Sequence, residues 1–120
     1  MRFIDRVFTK KEQNYCGPIS ASTSAYAKRF AAKEAVAKAI SGANTGHLRW
    51  RDVEVINNPS GRPTIRLHGA ARTRLKSIIP ESMTGLIHIS LTDDYPYAQA
   101  FAICEALPDD SSHKLEGKKA

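Results

Sequence analysis

Ser24-Ala25-Tyr26-Ala27-Lys28-Arg29-Phe30-Ala31-Ala32-Lys33-Glu34-Ala35-Val36-Ala37-Lys38-Ala39-Ile40 decides the fold. The stretch holds no Gly or Pro and is rich in Ala, the best helix former. Ser24 has the chemistry of an N-cap, and Ser41-Gly42 ends the run. A loop is expected from Gly42 to Gly46. At about 100° per residue, Tyr26, Phe30, Ala37 and Ile40 fall on one stripe. Ala27, Ala31, Ala35 and Ala39 line the opposite side, small enough for another element to pack close. Such a helix is expected to be buried on both sides.

Its charges contradict that setting. Lys33 falls inside the apolar stripe and Arg29 at its margin. They stand one turn apart with like charge and repel mildly. Two cations on a half-buried face favour a bound anion, and Arg suits phosphate well. Glu34 beside them has the chemistry of a metal ligand or a proton acceptor. Glu34 and Lys38 also have the spacing of an ordinary surface ion pair, and that reading stays open here.

Working outward, Thr9 and Glu12 have capping-box spacing and predict a helix start there. Cys16 to Ser24 reads as a loop around Gly17-Pro18. Trp50–Ile56 and Thr64–His68 alternate as strands around the turn cluster Asn57-Asn58-Pro59-Ser60-Gly61. Ala70–Ile79 is a second amphipathic helix, stopped by Pro80. Leu86–Thr92 and Tyr97–Leu107 are two further strands about a turn at Asp93-Asp94-Tyr95-Pro96. Helices and antiparallel hairpins in separate blocks define an α+β class. In Ile87-His88-Ile89-Ser90-Leu91-Thr92 the apolar residues point one way and His88, Ser90 and Thr92 the other. That row, ending at Asp93 and Asp94, has the makings of one wall of a polar pocket, or of the wet face of a half-exposed sheet.

Composition sets the outer limits. The chain has 120 residues, one domain by length, and carries 18 Lys and Arg against 12 Asp and Glu. Residues 108–120 are polar with no net charge and read as a disordered tail on a domain at 1–107. Cys16 and Cys104 match no metal-ligand spacing, and His47, His68, His88 and His113 are scattered. No run is long enough to span a membrane, and the charged start is no signal peptide, so the cytoplasm is expected. Between Arg49 and Lys76, seven bases stand against two acids. The excess points to phosphate, nucleic acid or an acidic protein. Without interleaved aromatics or a known motif there, nucleic acid is not expected.

Arg29-Phe30-Ala31-Ala32-Lys33-Glu34-Ala35-Val36-Ala37-Lys38-Ala39 fills every fixed position of R-F-A-x-K-E-A-x-x-K-A. That is the helix signature of the holo-[acyl-carrier-protein] synthases, within the 4′-phosphopantetheinyl transferase superfamily. Trp50-Arg51-Asp52-Val53-Glu54-Val55 with Gly61-Arg62-Pro63 resembles the family's next hairpin. His88-Ile89-Ser90-Leu91-Thr92-Asp93-Asp94 with Tyr97-Ala98-Gln99-Ala100-Phe101-Ala102 resembles its last two strands. The resemblance runs from about Arg2 to Leu107.

It implies an antiparallel sheet packed on a long helix, in a small domain that assembles as a homotrimer with active sites between subunits. It implies transfer of 4′-phosphopantetheine from coenzyme A to a serine of apo-acyl carrier protein, with Mg²⁺, in fatty acid biosynthesis. By resemblance, Glu34 is a metal ligand and catalytic, and Lys38 is catalytic and contacts phosphate. Arg29, Lys33, Gly42, Arg62, Pro63, His88, Ser90, Thr92 and Asp93 are coenzyme contacts. The partner is the acidic carrier protein, with no nucleic acid and no membrane.

Three departures accompany the match. The family opens with a buried strand bearing G-x-D, whose Asp is the other metal ligand. Asp5 does not correspond to it, so a truncated form or a misassigned start is expected, with impaired metal affinity and activity. Such a form would bind coenzyme A or carrier protein without turnover. The family's Gly-Thr-Gly loop is here Ser41-Gly42-Ala43, and Asp93 stands where some members have His.

Overall fold

The computed structural model describes residues 2–18, 22–41, 48–94 and 97–109. The chain opens with two short helices, α1 (Phe3–Val7) and α2 (Lys10–Cys16). The first has no counterpart among the sequence expectations. The capping box forms as its spacing predicts: Glu12 N donates to Thr9 Oγ1 at 3.2 Å, and Thr9 N to Glu12 Oε1 at 2.9 Å. Helix α3 spans Ser22–Ser41, beginning two residues before the expected cap at Ser24.

A 3₁₀ turn at Trp50–Asp52 takes the first three residues of the expected strand. It leads into β1 (Val53–Asn57), which pairs antiparallel with β2 (Pro63–Leu67). Helix α4 (Gly69–Ile78) follows, then β3 (Met83–Asp94) and β4 (Tyr97–Pro108), again antiparallel. These last strands run longer than their alternation predicted. Pro108 closes β4 and Asp109 N donates to Ser82 O at 2.9 Å, so the hairpin's pairing continues past Leu107. The expected Gly42–Gly46 loop, Tyr95-Pro96 and the tail from Asp110 lie outside the described residues.

The class is α+β as expected, but the strands form two separate two-stranded sheets rather than one. Val36, Ile40, Val53 and Ala71 make the buried centre between them. Ile65 and Leu67 from β2, Ile87 and Ile89 from β3, and Ala102 and Cys104 from β4 pack around it. Gly85 lets α4 lie close on β3. A Cβ there would stand 2.9 Å from Ile79 Cγ1, inside contact distance.

The interior face of α3 differs from the expected stripe. Ala25, Arg29, Ala32, Lys33, Val36 and Ile40 are buried, while Tyr26, Phe30 and Ala37 are half-buried. Ala27 and Ala39 are exposed, so the helix is not buried on both sides within one chain. The two charges inside rotate the buried face toward themselves because each has an internal partner.

Candidate active site

Lys33 is fully buried and its ammonium donates three hydrogen bonds. The acceptors are Glu12 Oε1 at 2.8 Å, Trp50 O at 3.0 Å and Val53 O at 2.5 Å. An ammonium has three donors, so its capacity is filled. Glu12 is equally buried and also accepts Val55 N on Oε2 at 2.9 Å. Burial pulls the Lys33 ammonium below its ordinary value, and the Glu12 charge and hydrogen bond restore only part. Removing one member of such a buried pair leaves an uncompensated charge, at a cost of about 3–5 kcal/mol.

The pair has a further use. His68 N donates to Asp52 O and Asn58 N to Arg62 O, which fixes the phase of the β1–β2 ladder. Hydrogen-bonding sides alternate along a strand, so residues 53, 55 and 57 turn theirs away from β2. Lys33 takes the Val53 carbonyl and Glu12 the Val55 amide on that free edge. Two side chains thus stand in for a neighbouring strand.

Arg29 is also buried. It donates to Ala25 O at 3.3 Å and to Asn57 Oδ1, and its guanidinium lies 4.4 Å from the centre of the Tyr15 ring. Asn57 Nδ2 donates in turn to Gly61 O at 2.9 Å, so Arg29 fastens α3 to the β1–β2 turn. The anion contact expected of Lys33 therefore falls on an ammonium whose bonds are spent inside the chain, whereas Arg29 keeps a buried Nε without a hydrogen-bond partner. The anomaly the sequence presents is real: Lys33 finds its counter-charge in Glu12, and Arg29 finds neutral acceptors in Ala25 and Asn57.

Glu34 and Lys38 are exposed on the outer side of α3. Neither side chain has a hydrogen bond or ion pair among the described residues, so the expected i,i+4 pair is open. Lys38 borders a cleft of about 150 Å³ between α3 and the 3₁₀ turn, with Ser41, Arg49 and Trp50 among its walls. Arg49 and Trp50 also line a larger cleft of about 540 Å³, with Arg6, Arg51, Asp52 and His68. At its wall, buried Glu54 accepts Thr9 Oγ1 at 2.5 Å and meets His68 Nε2 at 2.9 Å. Burial raises the Glu54 carboxyl, but the bonds from Thr9 and His68 outweigh it and hold the group below the ordinary carboxylate value.

The other predicted residues lie elsewhere. His88, Ser90 and Thr92 are exposed along the outer face of β3, as the alternation predicts. His88 Nε2 meets Glu105 Oε1 at 3.1 Å across the hairpin. They border none of the described clefts: the row is an open face, interleaved with exposed Leu86, Phe101 and Ile103. The inner residues of β3 and β4 separate it from α3. Within one chain, then, the Lys38 cleft and the His88 row are not brought together. Arg62 and Pro63 sit at the β1–β2 turn, away from both clefts. Gly42 lies outside the described residues, as does the Asp93 side chain. Glu12, Arg49, Trp50 and the Thr9–Glu54–His68 cluster were not singled out as site residues. The one sequence signal for Glu12 was its capping-box position, and for a hidden partner, Lys33 inside an apolar stripe.

Among the described residues, no group of three His, Cys, Asp or Glu is placed to hold a metal ion. Glu34 alone still suits Mg²⁺, which needs one or two carboxylates and takes its remaining ligands from water and substrate phosphates.

A long helix crossing two antiparallel hairpins, with Lys38 bordering a basic cleft, makes a small α+β domain whose cleft suits an anion. The family model of the 4′-phosphopantetheinyl transferase superfamily matches residues 1–100. The chain belongs to this superfamily, among its holo-[acyl-carrier-protein] synthases, and is an enzyme. The Bartonella bacilliformis holo-[acyl-carrier-protein] synthase is 50% identical over 107 residues, covering 89% of this chain and 80% of that protein. The one from Phenylobacterium zucineum is 52% identical over 107 residues, covering 89% and 78%. The structure of the Mycobacterium tuberculosis acyl carrier protein synthase matches with a TM-score of 0.66 at 38% identity, covering 84% of this chain and 82% of that one. The Chronobacterium ammoniagenes complex with coenzyme A matches with a TM-score of 0.73 at 26% identity, covering 86% and 80%. No helix among the described residues is long and apolar enough to cross a membrane.

Proposed function

We propose that the chain moves 4′-phosphopantetheine from coenzyme A to a serine of apo-acyl carrier protein, in fatty acid biosynthesis in the cytoplasm. The serine oxygen forms a bond to the pantetheine-side phosphorus, and the bond from that phosphorus to the bridging oxygen breaks. Adenosine 3′,5′-bisphosphate leaves with the electron pair. Glu34 takes the serine proton. Lys38 faces the charge that grows on the leaving group, where a fixed cation helps most. Arg49 and Ser41 offer further donors to the phosphates. Mg²⁺, held by Glu34, would supply charge neutralisation across the pyrophosphate.

The observation that carries this reading is the exposed, unpaired Glu34–Lys38 couple, with Lys38 at its cleft, on a helix matching the family signature. Catalysis belongs to the domain at residues 1–107. The separation of Lys38 from the His88 row supports a homotrimer in which one copy's β3 face completes another's cleft. The test is incubation with apo-acyl carrier protein, coenzyme A and Mg²⁺, read by mass spectrometry. Modified carrier protein is expected with the wild-type chain and none with Glu34→Ala; an unmodified carrier protein under all conditions overturns the reading.

A second reading has one observation in its favour: no carboxylate borders the Lys38 cleft among the described residues. On it, the chain binds coenzyme A or the acidic carrier protein without turnover. Calorimetric binding of coenzyme A with no product distinguishes the two.

A further inference from the structure

The 3₁₀ turn Trp50–Asp52 forms the wall opposite α3, and Arg49 and Trp50 face both clefts from it. Its two ends are held by one atom. Lys33 Nζ takes the carbonyl of Trp50, the turn's first residue, and of Val53, the residue just past its last. Glu12 holds that nitrogen in place and grips the Val55 amide two residues further on. The Trp50 ring rests on Phe30 of α3, with centroids 5.0 Å apart. Lys33 and Glu34 are consecutive on α3, so about 100° separates them around the helix. Locking Lys33 inward turns Glu34 outward.

We propose that Glu12 and Lys33 are positioning residues for the transferase site. Together they form an internal latch that sets the Trp50–Asp52 turn against α3, and so fixes Arg49 and Trp50 relative to Lys38. Lys33 borders the Lys38 cleft, but its three donors are already taken by Glu12, Trp50 and Val53, so its part is to hold the turn. The latch acts through two carbonyls: that of Trp50, which also accepts the Val53 N–H closing the turn, and that of Val53, which without Lys33 would stand unpaired on the free edge of β1. This rests on the Lys38 cleft being the coenzyme side of the site, while the position of the turn can be read without that assumption. Trp50 is the one tryptophan of the chain, so its fluorescence reports on the turn alone.

The experiment compares Lys33→Met and the milder Glu12→Gln with Val36→Ala, a core truncation on the same helix. All are measured where far-UV circular dichroism shows the fold intact. Acrylamide quenching of Trp50 is expected to rise about twofold in the latch variants and stay at the wild-type value in Val36→Ala. With coenzyme A and apo-acyl carrier protein, kcat/KM is expected to fall about 10- to 100-fold in the latch variants, mainly through KM for coenzyme A. Val36→Ala should lower Tm with little kinetic effect. Unchanged quenching in Glu12→Gln, or equal quenching changes in Val36→Ala and the latch variants, would overturn the proposal. A wild-type chain without transfer activity would instead sink the functional reading, and the quenching comparison would still decide whether the latch sets the turn.

Discussion

Ile103→Asp is expected to take the proposed trimer apart without unfolding the chain. Ile103 points outward from β4 and is 63% exposed in the single chain, beside Phe101 at 68% and Tyr97 at 70%. Full burial of an Ile side chain yields about 1.5–3 kcal/mol. With some two thirds of Ile103 still open, contact with a neighbour would gain about 1–2 kcal/mol per copy. Three copies give about 3–6 kcal/mol, or some 10²- to 10⁴-fold in the association constant. A buried carboxylate adds to the penalty, since Glu105 is already close by on the same face. Because Ile103 is exposed in the isolated chain, the monomer's own stability should change by no more than about 0.5 kcal/mol. Sedimentation equilibrium across a concentration series reads the effect directly. The wild-type chain should sediment at three times its 13.2 kDa mass, and the variant should return to that mass. Transfer activity should fall in step, because the His88 row could no longer reach a neighbour's Lys38. A wild-type chain that stays at 13.2 kDa at every concentration would refute the reasoning. So would a variant that remains trimeric.

Glu34→Gln should leave Tm within a degree or two, because the side chain is exposed and unpaired, yet abolish carrier-protein modification; retained turnover would remove Glu34 from the mechanism. Glu54 makes stability depend on acid. Its carboxyl titrates below the ordinary 4.5 in the folded chain, so the unfolded state binds more protons as pH falls. That stability is present above 4.5 and is lost as pH drops through the folded value. Urea unfolding from pH 6 to pH 3 should show the loss, and Glu54→Gln should flatten it. Gly85→Ala should destabilise by about 1–3 kcal/mol through overpacking against Ile79 and Leu75, read from thermal melts. An unchanged Tm would mean that α4 can draw back from β3.

The local features of the fold were legible because local rules govern them. Thr9 and Glu12 stand at capping distance, and the cap forms. The alternation in β3 and β4 puts Ile87 and Ile89 inside and His88 and Ser90 outside. Alanine content and the absence of Gly and Pro mark α3 almost to its ends. What alternation cannot give is which strands become neighbours, since each hairpin satisfies its own pattern whether or not it joins the other. The two-sheet arrangement was therefore out of reach. The site was half legible for a related reason. Lys33 inside an apolar stripe states a real physical demand, because a buried cation needs negative charge beside it. A sequence does not say whether that charge comes on a ligand or from elsewhere in the chain. Glu12 stands 21 residues earlier and already has a local role as a capping residue, so nothing nearby marks it as the answer. The same α3 then divides its charges by direction alone: Arg29 and Lys33 turn inward to acceptors the chain supplies, and Glu34 and Lys38 turn outward with none. Charges with no partner of their own are the ones free to meet a phosphate or a proton, and the proposed catalytic pair is one that the fold leaves without partners.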